Sequence, residues 1–121
     1  MGRLGRNASM TPELLPPDAF KGPRLRRDGT WVVAFLADWC PFSRYFRSSF
    51  DAMDGGTIFR TGIADLTDDE SPLWDEFDIE VVPALIVFSA GRPVYVQQSV
   101  PGVGLPADAL EAARTAATAG R

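Results

Sequence analysis

The stretch Trp31-Val32-Val33-Ala34-Phe35-Leu36-Ala37 is continuously apolar, rich in β-formers, and stops at Asp38-Trp39-Cys40-Pro41. An unbroken run of this kind suits a strand buried on both faces, as in a parallel sheet, whereas a half-buried strand would alternate. Ala84-Leu85-Ile86-Val87-Phe88 repeats the pattern. Two such strands must be covered on both sides, so helices have to lie on both faces of the sheet. Pro41 stands where a helix can begin, because no N–H partner is needed in the first turn. Phe42, Phe46, Phe50 and Met53 then recur at helical spacing, and Gly55-Gly56 ends the helix.

The remaining segments fill in an order of elements. Glu13-Leu14-Leu15 reads as a short edge strand, Pro17 to Phe20 as a helical turn, and Asp28-Gly29 as a turn. Thr57 to Ala64 reads as a strand weakened by Gly62. Ser71-Pro72 opens a short helix carrying Trp74 and Phe77. Ala90-Gly91-Arg92-Pro93 reads as a hairpin turn into Val94 to Gln98, and Pro106 to Thr118 as an alanine-rich helix. The expected core is β-α-β-α-β-β-α, a mixed central sheet with helices on both faces. One domain over 13–121 follows a flexible leader over 1–12.

Composition closes off several chemistries. The 121 residues include no histidine and one cysteine. Histidine-based triads, Cys-His nucleophiles, nearly all zinc sites and an internal disulfide are excluded, and neither metal nor cofactor is expected. No segment approaches the roughly 18 apolar residues of a membrane span. The N-terminus has no apolar signal region, so a cytoplasmic protein is expected. Residues 1–27 carry six basic side chains against two acids, but without interleaved aromatics or a nucleic-acid motif. They read as a solvated tail, with neither nucleic acid nor membrane as partner.

Cys40 is the chemical feature that remains. It lies where an apolar strand turns into a helix, facing unpaired backbone N–H groups and the positive end of the helix dipole. Both favour the thiolate, which is the nucleophilic form. Trp39 before it and Pro41 after it put the sulfur at an exposed corner. An inert buried thiol is the competing reading.

The run from Asp28-Gly29 through Trp31 to Asp38-Trp39-Cys40-Pro41-Phe42-Ser43-Arg44 resembles the strand and active-site loop of the thioredoxin family, W-C-x-x-C-[KR]. Ile79-Glu80-Val81-Val82-Pro83-Ala84-Leu85-Ile86-Val87-Phe88 resembles the family's cis-proline segment and following strand, Ala90-Gly91-Arg92 its next turn, and Gly102 its glycine after the last strand. The likeness runs from Glu13 to Thr118. It implies a thioredoxin-like α/β fold with Cys40 as nucleophile and Trp39, Pro41, Phe42, Val82 and Pro83 shaping a substrate groove. It also implies a cis bond before Pro83, bringing Val82 beside Cys40, where its backbone could pair with an extended substrate. The partners implied are protein disulfides and thiols, held as mixed disulfides, with an external thiol or reductase as electron donor.

Two positions depart from the family. Ser43 replaces the resolving cysteine, so a mixed disulfide at Cys40 must wait for an external thiol. Ser43 can hydrogen-bond the thiolate from one turn away, or be merely a polar first-turn residue. A natural C-x-x-S site and a serine substituted into a C-P-F-C reductase fit equally well. Ala34 stands where thioredoxins bury an aspartate that assists proton transfer, removing a general base from resolution.

Between Asp65 and Glu80 lie eight acids and no bases. This is a solvated face, or a rim that opposes thiolate formation, repels glutathione and favours basic protein segments; Arg44 could offset it. Phe46, Phe50, Trp74 and Phe77 read as core, and Phe42 either as core or as an exposed docking contact. Cys-Pro-Phe-Ser is also similar to the C-G-F-S motif of monothiol glutaredoxins. The lysine before that motif and the Gly-Gly after the proline strand are missing, which argues against a shared iron–sulfur cluster. A redox-inert binding module that kept the fold is the alternative of another class.

Overall fold

The structure, a computed structural model, describes residues 12–119. Of the expected leader, residues 1–11 lie outside the described residues; Pro12, at its end, is buried. The chain runs through β1 (Glu13–Leu15), a 3-10 turn (Pro17–Ala19), β2 (Phe20–Lys21), β3 (Arg24–Leu25), β4 (Thr30–Leu36), α1 (Pro41–Asp51), β5 (Arg60–Asp65), α2 (Leu73–Glu76), β6 (Ala84–Ser89), β7 (Arg92–Gln98) and α3 (Ala109–Ala119). Strands β1, β5, β4, β6 and β7 lie side by side in that order. β5 is parallel to both β1 and β4, whereas β6 is antiparallel to β4 and to β7. No described helix is long and apolar enough to cross a membrane.

β4 is the central strand, and all seven of its residues are buried. Alternate side chains serve opposite layers. Val32, Ala34 and Leu36 pack with Phe50, Met53, Phe59, Ile63, Leu85 and the alanines of α3. Trp31, Val33 and Phe35 join Phe20, Phe77, Ile79 and Phe88 on the other face. There Phe77 meets Phe20 and Phe88 edge-on, with ring centroids 5.5 Å and 5.6 Å apart. The continuous apolar run is thus explained by burial on both faces.

Three local departures from the sequence reading have local causes. The strand expected from Thr57 starts only at Arg60, because the Ile58 N–H bonds back to the Gly55 carbonyl at 2.9 Å in a turn. Helix α3 begins at Ala109 rather than Pro106; residues 106–108 form a turn closed by the Ala109 N–H on the Pro106 carbonyl at 3.0 Å. Phe20–Lys21 and Arg24–Leu25 pair as a small antiparallel ribbon, too short to leave a periodic signal. The β6–β7 hairpin closes through Ala90 and Gly91, both at positive φ (52° and 85°), and a Cβ on Gly91 would sit 2.8 Å from the Leu25 carbonyl oxygen.

Candidate active site

Cys40 is the N-cap residue of α1, in an extended conformation, separated from the end of β4 by Ala37, Asp38 and Trp39. Its N–H donates to the Ala37 carbonyl at 3.1 Å, and its own carbonyl accepts the first helical bond from Arg44 N–H at 3.1 Å. No side chain caps the helix, so the first-turn amides remain open to an anion at this corner.

The sulfur is less exposed than the sequence suggests. Cys40 is only 7% exposed, and its thiol donates to the Val82 carbonyl at 3.7 Å. The exposed corner is a correction in detail: Trp39, Pro41 and Phe42 are exposed around it, while Cys40 forms the floor. The cause is the loop before β6. The Val82–Pro83 bond is cis, and Val82 and Pro83 are both buried against the end of α1.

This loop is held by side chains that no motif marks. The Gln98 carboxamide oxygen accepts the N–H groups of Glu80 at 2.8 Å and Val81 at 3.2 Å, and its NH₂ donates to the Asp78 carbonyl at 3.0 Å. Buried Ser99 donates its hydroxyl to the Pro83 carbonyl at 2.7 Å. Polar residues ending an otherwise alternating strand are the single sequence trace of this arrangement.

Ser43 differs from the expectation of a bond to the thiolate. It is 1% exposed, and its Oγ accepts the backbone N–H of Ala37 at 3.2 Å. The hydroxyl thereby satisfies a buried amide just past the end of β4, which needs a partner wherever water cannot reach it. Ala34 is fully buried in an apolar layer with Phe50, Ile63 and Leu85.

On the β5 side, Thr67 organises the loop before Cys40. Its hydroxyl oxygen accepts the Asp38 N–H at 2.8 Å, its carbonyl accepts the Trp39 indole N–H at 3.0 Å, and Asp65 accepts both its N–H and its hydroxyl. Trp39, 53% exposed, lies parallel to Trp74, with ring centroids 6.5 Å apart. Arg44 donates to the Asp38 carbonyl at 2.7 Å rather than lying free beside the sulfur. On the β6 side, Phe42 is 40% exposed and heads an apolar groove with Tyr45, Phe46, Pro83, Leu105 and Leu110. The glycine that matters here is Gly104, not Gly102. Its φ is +97°, and a Cβ there would lie 3.1 Å from the Phe42 ring, whereas Gly102 has open space around it.

Solved structures share the fold. Thioredoxin f from spinach chloroplast matches with a TM-score of 0.71 at 17% identity, over 95% of this chain and 93% of that one. A mutant thioredoxin from Halobacterium salinarum gives a TM-score of 0.66 at 21% identity, over 92% and 94%. A structure of ferredoxin:thioredoxin reductase in complex with thioredoxin f2 gives 0.72 at 21% identity, over 91% of this chain and 97% of the matched one. No family model and no curated protein matches the chain. At these identities the likeness carries the fold, and the fold is that of thioredoxin.

Proposed function

We propose that this chain, a thioredoxin-fold protein, performs thiol–disulfide exchange on protein partners through Cys40. The observation that carries the reading is the position of the sulfur. It stands at the uncapped N-terminus of α1 and contacts the Val82 carbonyl at the cis Val82–Pro83 bond. An attacking Cys40 thiolate would form a bond to one sulfur of a partner disulfide and expel the other as a thiolate. The first-turn amides would stabilise the anion before attack. Trp39, Pro41 and Phe42 form the rim, and the Val82 backbone is the natural strand-like edge for an extended partner segment.

Ser43 cannot complete the cycle by closing a second disulfide. The mixed disulfide is therefore released by an external thiol or a reductase, which attacks the Cys40 sulfur or the partner's. A thioredoxin f2 was solved with ferredoxin:thioredoxin reductase; for this chain the donor is an external thiol or a reductase. We place the exchange in the cytoplasm, with residues 13–121 acting as one domain. Incubating the protein with a disulfide-bonded substrate and quenching with acid tests the reading. The expected result is a mixed disulfide that is absent in Cys40→Ala; an unaltered chain that forms no mixed disulfide refutes it.

The burial of Cys40 favours a second reading, a redox-inert binding module that retains the groove. It requires partner binding to survive Cys40→Ala, and Cys40 in the folded protein to resist alkylation under conditions that alkylate it in urea.

A further inference from the structure

Cys40 follows the central strand, so the surfaces on its two flanks come from different sheet neighbours. The β6 flank is the groove headed by Phe42, about 300 Å³ in volume, with no charged side chain in its wall and with Tyr45 85% exposed at its lip. The β5 flank is the Trp39–Trp74 pair. Both indole N–H groups are already used there, on the Thr67 and Asp68 carbonyls at 3.0 Å and 3.1 Å. What Trp39 offers outward is therefore ring surface. Asp68, Asp69 and Glu70 lie in the loop from Thr67 to Trp74, to whose carbonyls both indoles bond, within a segment from Asp65 to Glu80 that holds eight carboxylates. Among the described residues none of the eight is in an ion pair: the three ion pairs join Arg27 and Arg60 to Glu13, and Arg47 to Asp51.

We propose that this surface selects an extended, cationic protein segment whose cysteine is flanked by an apolar residue on one side and by arginine or lysine on the other. The inference rests on Cys40 being the exchange thiol. The cysteine meets Cys40, the apolar residue enters the groove beyond Phe42 and Pro83, and the cation lies against Trp39 near the unpaired carboxylates of Asp68, Asp69 and Glu70, whose field Arg44 on the Asp38 carbonyl offsets only in part. A guanidinium over an exposed indole gains from the ring quadrupole, and the surrounding carboxylates add steering. The same field works against anionic thiols such as glutathione and against nucleic acid. The covalent step balances without a further reagent: the Cys40 thiolate bonds to the segment's sulfur, and the sulfur previously bonded to it leaves as a thiolate.

The test uses three synthetic peptides of one length, each with a single cysteine activated as a disulfide to 2-nitro-5-thiobenzoate, whose release is followed by absorbance. Each carries leucine on one side of the cysteine. The other side carries two arginines, two alanines or two glutamates. The arginine peptide is expected to react roughly ten-fold faster than the glutamate peptide at low salt, the size of one exposed cation–π contact plus screened attraction. Near 1 M salt, where the Debye length is about 3 Å, the ratio is expected to fall towards one. It should also fall in Asp68→Asn/Asp69→Asn/Glu70→Gln, in which the amide at position 68 can still accept the Glu70 N–H. Equal rates for all three peptides overturn the docking proposal and leave Cys40 exchange intact. Release from none of them overturns the exchange reading instead. Docking is then measured by tryptophan fluorescence of Cys40→Ser titrated with serine versions of the peptides. Tighter binding of the arginine peptide upholds the proposal, and no difference overturns it.

Discussion

The hydroxyl of Ser43 is the hydrogen-bond partner of the Ala37 N–H, at 3.2 Å and away from solvent. The residue at the resolving position is therefore structural as it stands: it closes the junction between the central strand and the helix that carries Cys40. Ser43→Ala leaves the Ala37 amide buried without a partner. A loss of about 1–3 kcal/mol is expected, the ordinary cost of an unsatisfied buried donor. Urea denaturation monitored by tryptophan fluorescence measures it, with Ser43→Thr as a variant that retains an acceptor.

Ser43→Cys tests what the scaffold still supports. An internal disulfide between Cys40 and the new thiol, with protein-disulfide reduction rising by orders of magnitude over the unaltered chain, is the expected result. Mass spectrometry after alkylation and a turnover assay read the two together. A disulfide that forms without a gain in turnover would place the deficit elsewhere, with Ala34, where no carboxylate assists proton transfer, as the residue to change next.

Gln98→Ala removes three hydrogen bonds to the loop that presents Val82. The amides of Glu80 and Val81 are expected to exchange with deuterium faster, while those of β4 stay protected. Mixed-disulfide formation at Cys40 should slow even though residue 98 lies outside the groove wall. Unchanged exchange at Glu80 and Val81 would show that the loop is held by its own backbone.

Gly104→Ala meets two obstacles at once. Its φ of +97° is unfavourable for any residue with a Cβ, and the added methyl would press on the Phe42 ring from 3.1 Å. Destabilisation of about 1–2 kcal/mol is expected. Gly102→Ala, at φ +77° but in open space, isolates the backbone part. The difference between the two variants in denaturation midpoint is the contribution of the Phe42 contact.

Thr67→Val keeps the branched shape but deletes the acceptor for the Asp38 N–H and the donor to Asp65. The Trp39 environment is expected to loosen, with a red-shifted emission and faster iodoacetamide alkylation of Cys40. Unaltered emission and alkylation would mean that the Trp39–Thr67 carbonyl bond holds the loop without the hydroxyl.

Much of this architecture was readable in the chain itself. Trp31 to Ala37 and Ala84 to Phe88 are apolar at every position because both faces of β4 and β6 are covered, so composition alone marked them as central strands. Pro41 marked the start of α1, and Ala90-Gly91 marked a turn that needs positive φ twice. Cys40 was conspicuous as the single thiol of the chain, at a strand-to-helix junction. These signals are local: each depends on a few neighbouring residues and on backbone sterics that operate in any context.

What the folded chain alone decided are contacts between segments remote in sequence. Cys40 lies on the floor of the site because the Val82 carbonyl reaches it at 3.7 Å, a proximity created by pairing β4 with β6. Ser43 turns to Ala37, Thr67 to Asp38, Gln98 to the loop at Asp78 to Val81, and Gly104 to Phe42. A serine, threonine or glutamine has too many possible partners for its identity to specify one. The partner is selected by which backbone groups are left unpaired and brought within reach once the strands are in register, and that juxtaposition exists only in the packed state.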